Sequence, residues 1–400
     1  MDQRLESHNF VFIIAFDNSI GYNALIDYNA PKQQESNLSL FVENLVQADP
    51  SSLRTGNAKY PDVYYIVLDT HGRTDTIKNE LGYDNSELIK PLSDIGFYIA
   101  SCSNANYPSA TWQSMAATLN LSYFDHSIIK EQNPKNTTAL SKVSIRKSFV
   151  IGEFRRMGYS IVNFNSMWDF LIMDDADYFY DFSFFSGSEI KMPNRYESYL
   201  LSMTPINNAS LPQLFSTDRA HYNNILGVLS KLKQIPIEIS SPKFVYAHLM
   251  IPHTPYVFSA DGEFISKSNS EDYSKDGYID QVMFIDKAIV SVIGEIIKNS
   301  PEPPIIIIQG DHGLPSNKPN NVSGILNAYY LPGSVSKQSL YPTITPVNTF
   351  RIIFNLYFGD AYQILPDEIY FDNFRSDNEH KEKGIPYDFI YYGKSTCGEE

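Results

Sequence analysis

Three short runs constrain the fold of this 400-residue chain more than anything else in it: residues 63–68 (VYYIVL), 244–250 (FVYAHLM) and 305–308 (IIII). Each is rich in β-branched and aromatic residues without polar residues at alternate positions, so neither face suits water. A strand covered on both faces belongs in a parallel sheet, and helix-like segments precede the second and third runs. Residues 277–298 repeat Ile279, Val282, Met283, Ile289, Ile293, Ile296 and Ile297 at helical spacing, with a polar opposite face. Residues 218–233 form a second amphipathic stretch, with Ser216 and Thr217 as candidate caps and Pro236 as its stop. This alternation predicts an α/β fold with a mostly parallel central sheet and helices on both faces, and the chain shows no repeat at a fixed period. Folds of this kind hold their ligands beyond the carboxyl ends of the strands.

The residues at those ends are the candidates. The first run leads into Asp69, the second into His253, and the third into Asp311 and His312. A single Asp after a strand is an ordinary turn former; the convergence of three such ends is what points to a site. Asp311 and His312 are neighbours and would face apart in a regular strand, but a turn between Gly310 and Gly313 lets both face one ion. Carboxylate and imidazole donors suit one divalent ion, Mn, Zn or Mg, that polarises an ester oxygen. A hydroxyl nucleophile is available in residues 107–121 (YPSATWQSMAATLNL), where Ser109 and Thr111 fall in the first turn of a helix, beside backbone N–H groups that could hold an anionic ester. Capping is the bland role for such residues. His253, between Pro252 and Pro255, could hold the ester's non-bridging oxygens or act as general acid. His248 reads equally as a core residue or a substrate contact, and Arg73 as a substrate contact or a structural ion pair, while His71 and Asp75 carry weaker signals.

The formal charge of -15 argues against a broad nucleic-acid surface, which needs clustered Lys and Arg. Any anionic ester is therefore neutralised locally, by a metal ion or a few cations. Cys102 and Cys397 are far apart and lack CxxC spacing, so they indicate neither a disulfide framework nor a thiolate zinc site. The apolar run at residues 10–16 is much shorter than a bilayer span, and no secretory signal precedes a cleavage site. Residues 1–58 read as a lead-in or linker, 59–375 as the catalytic domain and 376–400 as a C-terminal tail.

Taken together, PDVYYIVLDTHGR, GFYIASCSNANYPSATWQSMAATLNL, KFVYAHLMIPHTPYVFSADGEF, PPIIIIQGDHG and GILNAYYLPG with LYPTITPVNTFRIIFNLYFG resemble the sulfatase-like branch of the alkaline phosphatase superfamily, the group of lipoteichoic acid synthases and phosphoglycerol or phosphoethanolamine transferases. The resemblance implies Asp69, Thr111, Asp311 and His312 as ligands of one metal ion, Thr111 as nucleophile and His253 as a substrate-binding histidine. It implies a hydrolase or transferase acting on a phosphate ester of a small molecule or of a lipid or glycan head group. Membrane association follows by the same analogy, through a membrane-associated partner or with the lead-in as the remnant of a membrane segment. True sulfatases carry a Cys or Ser in a C/S-x-P-x-R motif, a context that neither Cys102 nor Ser109 has. Two alternatives remain: a non-catalytic descendant that keeps the metal site, and a true sulfatase.

Overall fold

A computed structural model describes residues 60–124, 144–173, 175–183, 217–265, 274–333, 337–372 and 388–397. The lead-in and the apolar run at residues 10–16 lie outside the described residues. In chain order the elements are β1 (Val63–Leu68), α1 (Thr74–Leu81), α2 (Ser86–Ile95), β2 (Tyr98–Ile99), α3 (Thr111–Leu119), α4 (Phe149–Arg156), β3 (Ser160–Phe164) and β4 (Tyr178–Tyr180). There follow α5 (Thr217–Glu238), β5 (Lys243–Leu249), α6 (Lys275–Asn299), β6 (Ile305–Gln309), α7 (Pro319–Ser323), β7 (Asn327–Tyr330), α8 (Pro346–Ile353), β8 (Glu368–Asp372) and β9 (Phe389–Lys394).

Seven strands form one sheet in the order β2-β7-β6-β1-β5-β3-β4. The pairs β1–β5, β1–β6, β3–β5 and β3–β4 are parallel, and only the β6–β7 and β7–β2 edge is antiparallel. The three apolar runs are thus the central strands β5, β1 and β6, and every residue of each is buried. Side chains alternate between two cores. Val63, Tyr65, Val67, Phe244, Tyr246, Ile305 and Ile307 pack with residues of α3, α4 and α8. Tyr64, Ile66, Leu68, Val245, Ala247, Leu249, Ile306 and Ile308 pack on the other face with α2, α5 and α6. Because Leu68 is in register with Leu249 and Val67 with Gln309, β6 ends one residue before β1 and β5, and Asp69 leaves the sheet level with Met250 and Asp311.

Three sequence expectations need correction. Helix α5 does not stop before Pro236 but carries it, because the flanking Ile235 and Ile239 are buried and hold that turn on the core. The inward face of α6 is not purely apolar: Tyr278, Gln281 and Asp286 are buried in it, while Ile279, Met283 and Ile297 are only half-buried. The two cysteines do pair: Cys102 and Cys397, 295 positions apart in sequence, form a disulfide with Cα atoms 4.9 Å apart. Residues 389–394 of the segment read as a tail form β9, antiparallel to β8.

Candidate metal centre

Asp69 and Asp311 follow β1 and β6, the two most central strand ends, and both carboxyl groups are buried. Each acid uses one oxygen within the protein and leaves the other without a partner. Asp69 Oδ2 accepts a hydrogen bond from Trp168 Nε1 at 3.0 Å and lies 3.3 Å from His248 Nε2; Asp311 Oδ1 accepts from the Thr70 N–H at 3.0 Å. Asp69 Oδ1 and Asp311 Oδ2 are buried without any hydrogen-bond partner. His312 Nε2 faces both, 3.7 Å from Asp69 Oδ1 and 3.6 Å from Asp311 Oδ2. The other ring nitrogen of His312, Nδ1, is 3.3 Å from the Gly313 carbonyl, an arrangement that protonates Nδ1 and turns the Nε2 lone pair toward the acids. Buried carboxylate oxygens are seldom left unpaired, and two of them around one imidazole nitrogen form a donor set that a divalent cation fits. Ligand atoms of Asp69, His248 and Asp311 also lie within 4.8 Å of one another, which brings His248 to the same cluster.

The electrostatics agree with a cation site. Burial by itself would raise the Asp69 carboxyl, but His253, His248 and His312 around it outweigh burial and hold it far below the usual carboxylate range. Asp69 is thus ionised and ready to coordinate. The turn that carries it is unusual: Thr70, a β-branched residue, has φ of 65°. Such a conformation is costly and persists only where its surroundings enforce it. Gly310 and Gly313 serve close approach rather than a special backbone angle, since a Cβ on Gly310 would stand 2.4 Å from the His71 carbonyl oxygen and one on Gly313 2.3 Å from that of Asn321.

The remaining sequence candidates divide. Thr111 begins α3 and is buried, and the helix has no side-chain cap, so the threonine is not occupied in capping. Among the described residues no hydrogen bond joins it to Asp69 or Asp311. His253 is half-buried, with Nδ1 2.6 Å from the Thr254 carbonyl, which leaves Nε2 for other work. Ser109 Oγ accepts from the Asp372 N–H at 3.1 Å and so faces the β8–β9 hairpin. Arg73 pairs with Asp75 through two bonds of 2.6 and 2.9 Å and donates to the Ser103 carbonyl at 3.0 Å.

Two site residues escaped sequence reasoning. Trp168, from the loop after β3, bonds Asp69 and meets the His253 ring edge to face at 5.7 Å. It follows Met167, which has φ of 68°. His221 on α5 is fully buried with neither ring nitrogen in a complete hydrogen bond, and it feels both His253 and Asp69. Burial first, then His253, pushes its pKa down to about 4. A single Trp among polar residues, or a His on an amphipathic helix, carries no sequence signal of such a place.

Comparison with known proteins gives the same picture. The family model described as Sulfatase matches residues 61–347. The structure is similar to the C-terminal periplasmic domain of EcEptC from Escherichia coli, with TM-score 0.51 and 10% identity over 84% of this chain and 93% of that one. A complex of the same domain with Zn gives TM-score 0.51 and 11% identity over the same shares. BT1596, a 2-O GAG sulfatase, is similar at TM-score 0.49 and 11% identity over 78% of each chain. No curated protein sequence matches the chain. Among the described residues no helix is long and apolar enough to cross a membrane.

Proposed function

This chain belongs to the sulfatase family, within the alkaline phosphatase superfamily of enzymes, and from that premise we propose that it cleaves a phosphate ester through a Thr111 nucleophile at a centre built for one divalent metal ion. The observation that carries the proposal is the pair of buried, unpartnered oxygens, Asp69 Oδ1 and Asp311 Oδ2, that face His312 Nε2. Asp69, Asp311 and His312 would hold the ion, with His248 in the same cluster and Thr111 as the further ligand proposed from the start of α3. Mn, Zn and Mg are the candidates by donor chemistry, and zinc is found with the similar EcEptC domain. When bound, the ion supplies Lewis-acid polarisation of the ester and eases ionisation of a nearby hydroxyl.

The protein's own groups do the rest. Thr111 Oγ1 forms a bond to phosphorus as the ester P–O bond breaks, its proton passing to solvent. The His253 Nδ1–H donates to the Thr254 carbonyl, and the ring in its imidazolium form gives the Nε2 proton to the departing alcohol. Water or an acceptor alcohol then attacks phosphorus and frees Thr111, which makes the enzyme a hydrolase or a transferase. The substrate class is a small-molecule ester or a lipid or glycan head group, presented in solution or by a membrane partner. Phosphate is favoured over sulfate because Cys102 is consumed in the disulfide and Ser109 Oγ is bonded to Asp372, so neither stands free as a formylglycine precursor.

The test is product release from phosphomonoesters, phosphodiesters and sulfate esters with added Mn, Zn or Mg. Turnover should be metal-dependent and should fall by about a thousandfold or more in Thr111→Ala and in Asp311→Ala. Undiminished turnover in either variant would remove that residue from the reaction.

A further inference from the structure

Helix α6 has a use beyond covering the sheet. Three polar side chains, Tyr278, Gln281 and Asp286, lie on its inward face with no exposed surface, among Val282, Ile285 and Ile289. A helix that had only to pack would do better with apolar residues there, since burying polar groups is costly unless each is bonded. Each is bonded, Asp286 through one of its two oxygens only, and their partners are the two loops that carry the site. The Tyr278 hydroxyl donates to the Thr70 carbonyl at 2.9 Å and accepts from the Gly72 N–H at 3.2 Å. Asp286 Oδ1 is 2.8 Å from His71 Nε2, and the other nitrogen of that ring is 3.0 Å from the Gly72 carbonyl. Gln281 Nε2 donates to the carbonyls of Pro252 at 3.2 Å and His253 at 2.9 Å, while its Oε1 accepts from the Val257 N–H at 3.0 Å.

We infer that Tyr278, Asp286 and Gln281 are positioning residues, with which α6 sets the Asp69 turn against the His253 loop and fixes the site before any ligand arrives. Tyr278 and Asp286 grip residues 70–72, at and just after the left-handed Thr70, the conformation that lets Asp69 face His312 while the Thr70 N–H reaches Asp311. Gln281 grips only the His253 loop. One rigid helix thereby sets both the cation ligand and the residue proposed to meet the leaving group. The inference rests on the metal-centre reading above.

Titration of the full chain with MnCl2 alone, together with thermal unfolding of each variant, separates the two. Tyr278→Phe and Asp286→Ala should weaken Mn affinity by about tenfold or more, while Asp286→Asn, which keeps a bond to His71, should stay within about threefold of the parent. Gln281→Leu should leave Mn affinity unchanged and change KM or kcat. Lys243→Met, at a buried ion pair remote from these loops, should lower Tm without changing Mn affinity. If Asp69→Asn abolishes binding but Tyr278→Phe and Asp286→Ala bind Mn as the parent does, the positioning role is wrong. If Asp69→Asn itself binds as the parent does, the metal centre falls and the inference with it. Should Asp286→Ala not fold, Tyr278→Phe, which loses a single oxygen, decides alone.

Discussion

Strand β1 has a buried aspartate at each end, and the two are treated oppositely. At the amino end, Asp62 is fully satisfied: Oδ2 accepts from Lys243 Nζ at 2.5 Å and Ser241 Oγ at 2.9 Å, and Oδ1 accepts from the Lys243 N–H at 3.1 Å. At the carboxyl end, Asp69 keeps one oxygen bare and is surrounded by histidines, with no lysine or arginine bonded to it among the described residues. The same residue type, in the same strand and at the same depth, is a fastening in one place and an open socket in the other. Full satisfaction by protein groups marks Asp62 as part of the fold, whereas a bare oxygen that faces a second bare carboxylate oxygen across one imidazole leaves Asp69 open to a ligand.

Swapping the roles by mutation is the most direct way to break this comparison. Asp62→Ala would strand the Lys243 ammonium in the interior and should cost about 3–5 kcal/mol of stability, with Mn affinity intact. Asp69→Asn should abolish Mn binding and cost the apo protein less than Asp62→Ala does, because it removes the charge that the surrounding histidines stabilise without stranding a lysine. Chemical denaturation of both variants checks the pair, and equal destabilisation would end the distinction.

A smaller effect concerns acid. The folded-state pKa of His221, about 4, lies below its ordinary value of 6.5, so the unfolded chain takes up the proton first. Its contribution is complete above pH 6.5 and is lost as pH falls from there toward 4, by about 3 kcal/mol for this shift. Denaturation measured across that window should be flatter in His221→Gln. If the slope is unchanged, the acid sensitivity lies with other groups.

The smallest effect sharpens the comparison at the socket itself. Trp168→Phe removes the indole donor to Asp69 Oδ2, a bond to a charged group that contributes about 1.5–3 kcal/mol in comparable settings. The apo protein should therefore lose about 1.5–3 kcal/mol, while Mn affinity rises or holds because the cation can take up the freed oxygen. Loss of Mn affinity instead would show that the indole orients Asp69 for the metal.

The central strands and the acids that follow them were legible from sequence because both signals are local: doubly covered strands read as unbroken apolar runs, and Asp311–His312 sits between glycines directly after one. The braces were not, because their partners are distant. Trp168 reaches back 99 positions to Asp69, Tyr278 reaches 208 to Thr70, and Asp286 reaches 215 to His71. In sequence, Gln281 and Asp286 look like the wet side of an amphipathic helix. Only the placement of α6 over the strand ends reveals that their stripe points inward. For Arg73 the sequence left a substrate contact and a structural ion pair both open, and the structure shows it paired with Asp75, two positions on.

The Cys102–Cys397 bridge has one more consequence. It joins the loop ahead of the Thr111 helix to a point just past β9, so the ends of β5 and β6, helix α6 and Thr111 all lie on a single closed covalent ring, while β1 and Asp69 lie on the chain that leads into it. A linear polymer cut once falls into two pieces, but a ring cut once is still one piece. A nick in any surface loop between those cysteines therefore leaves Thr111 and Asp311 on the same molecule, and parting them takes either a second cut or a reductant.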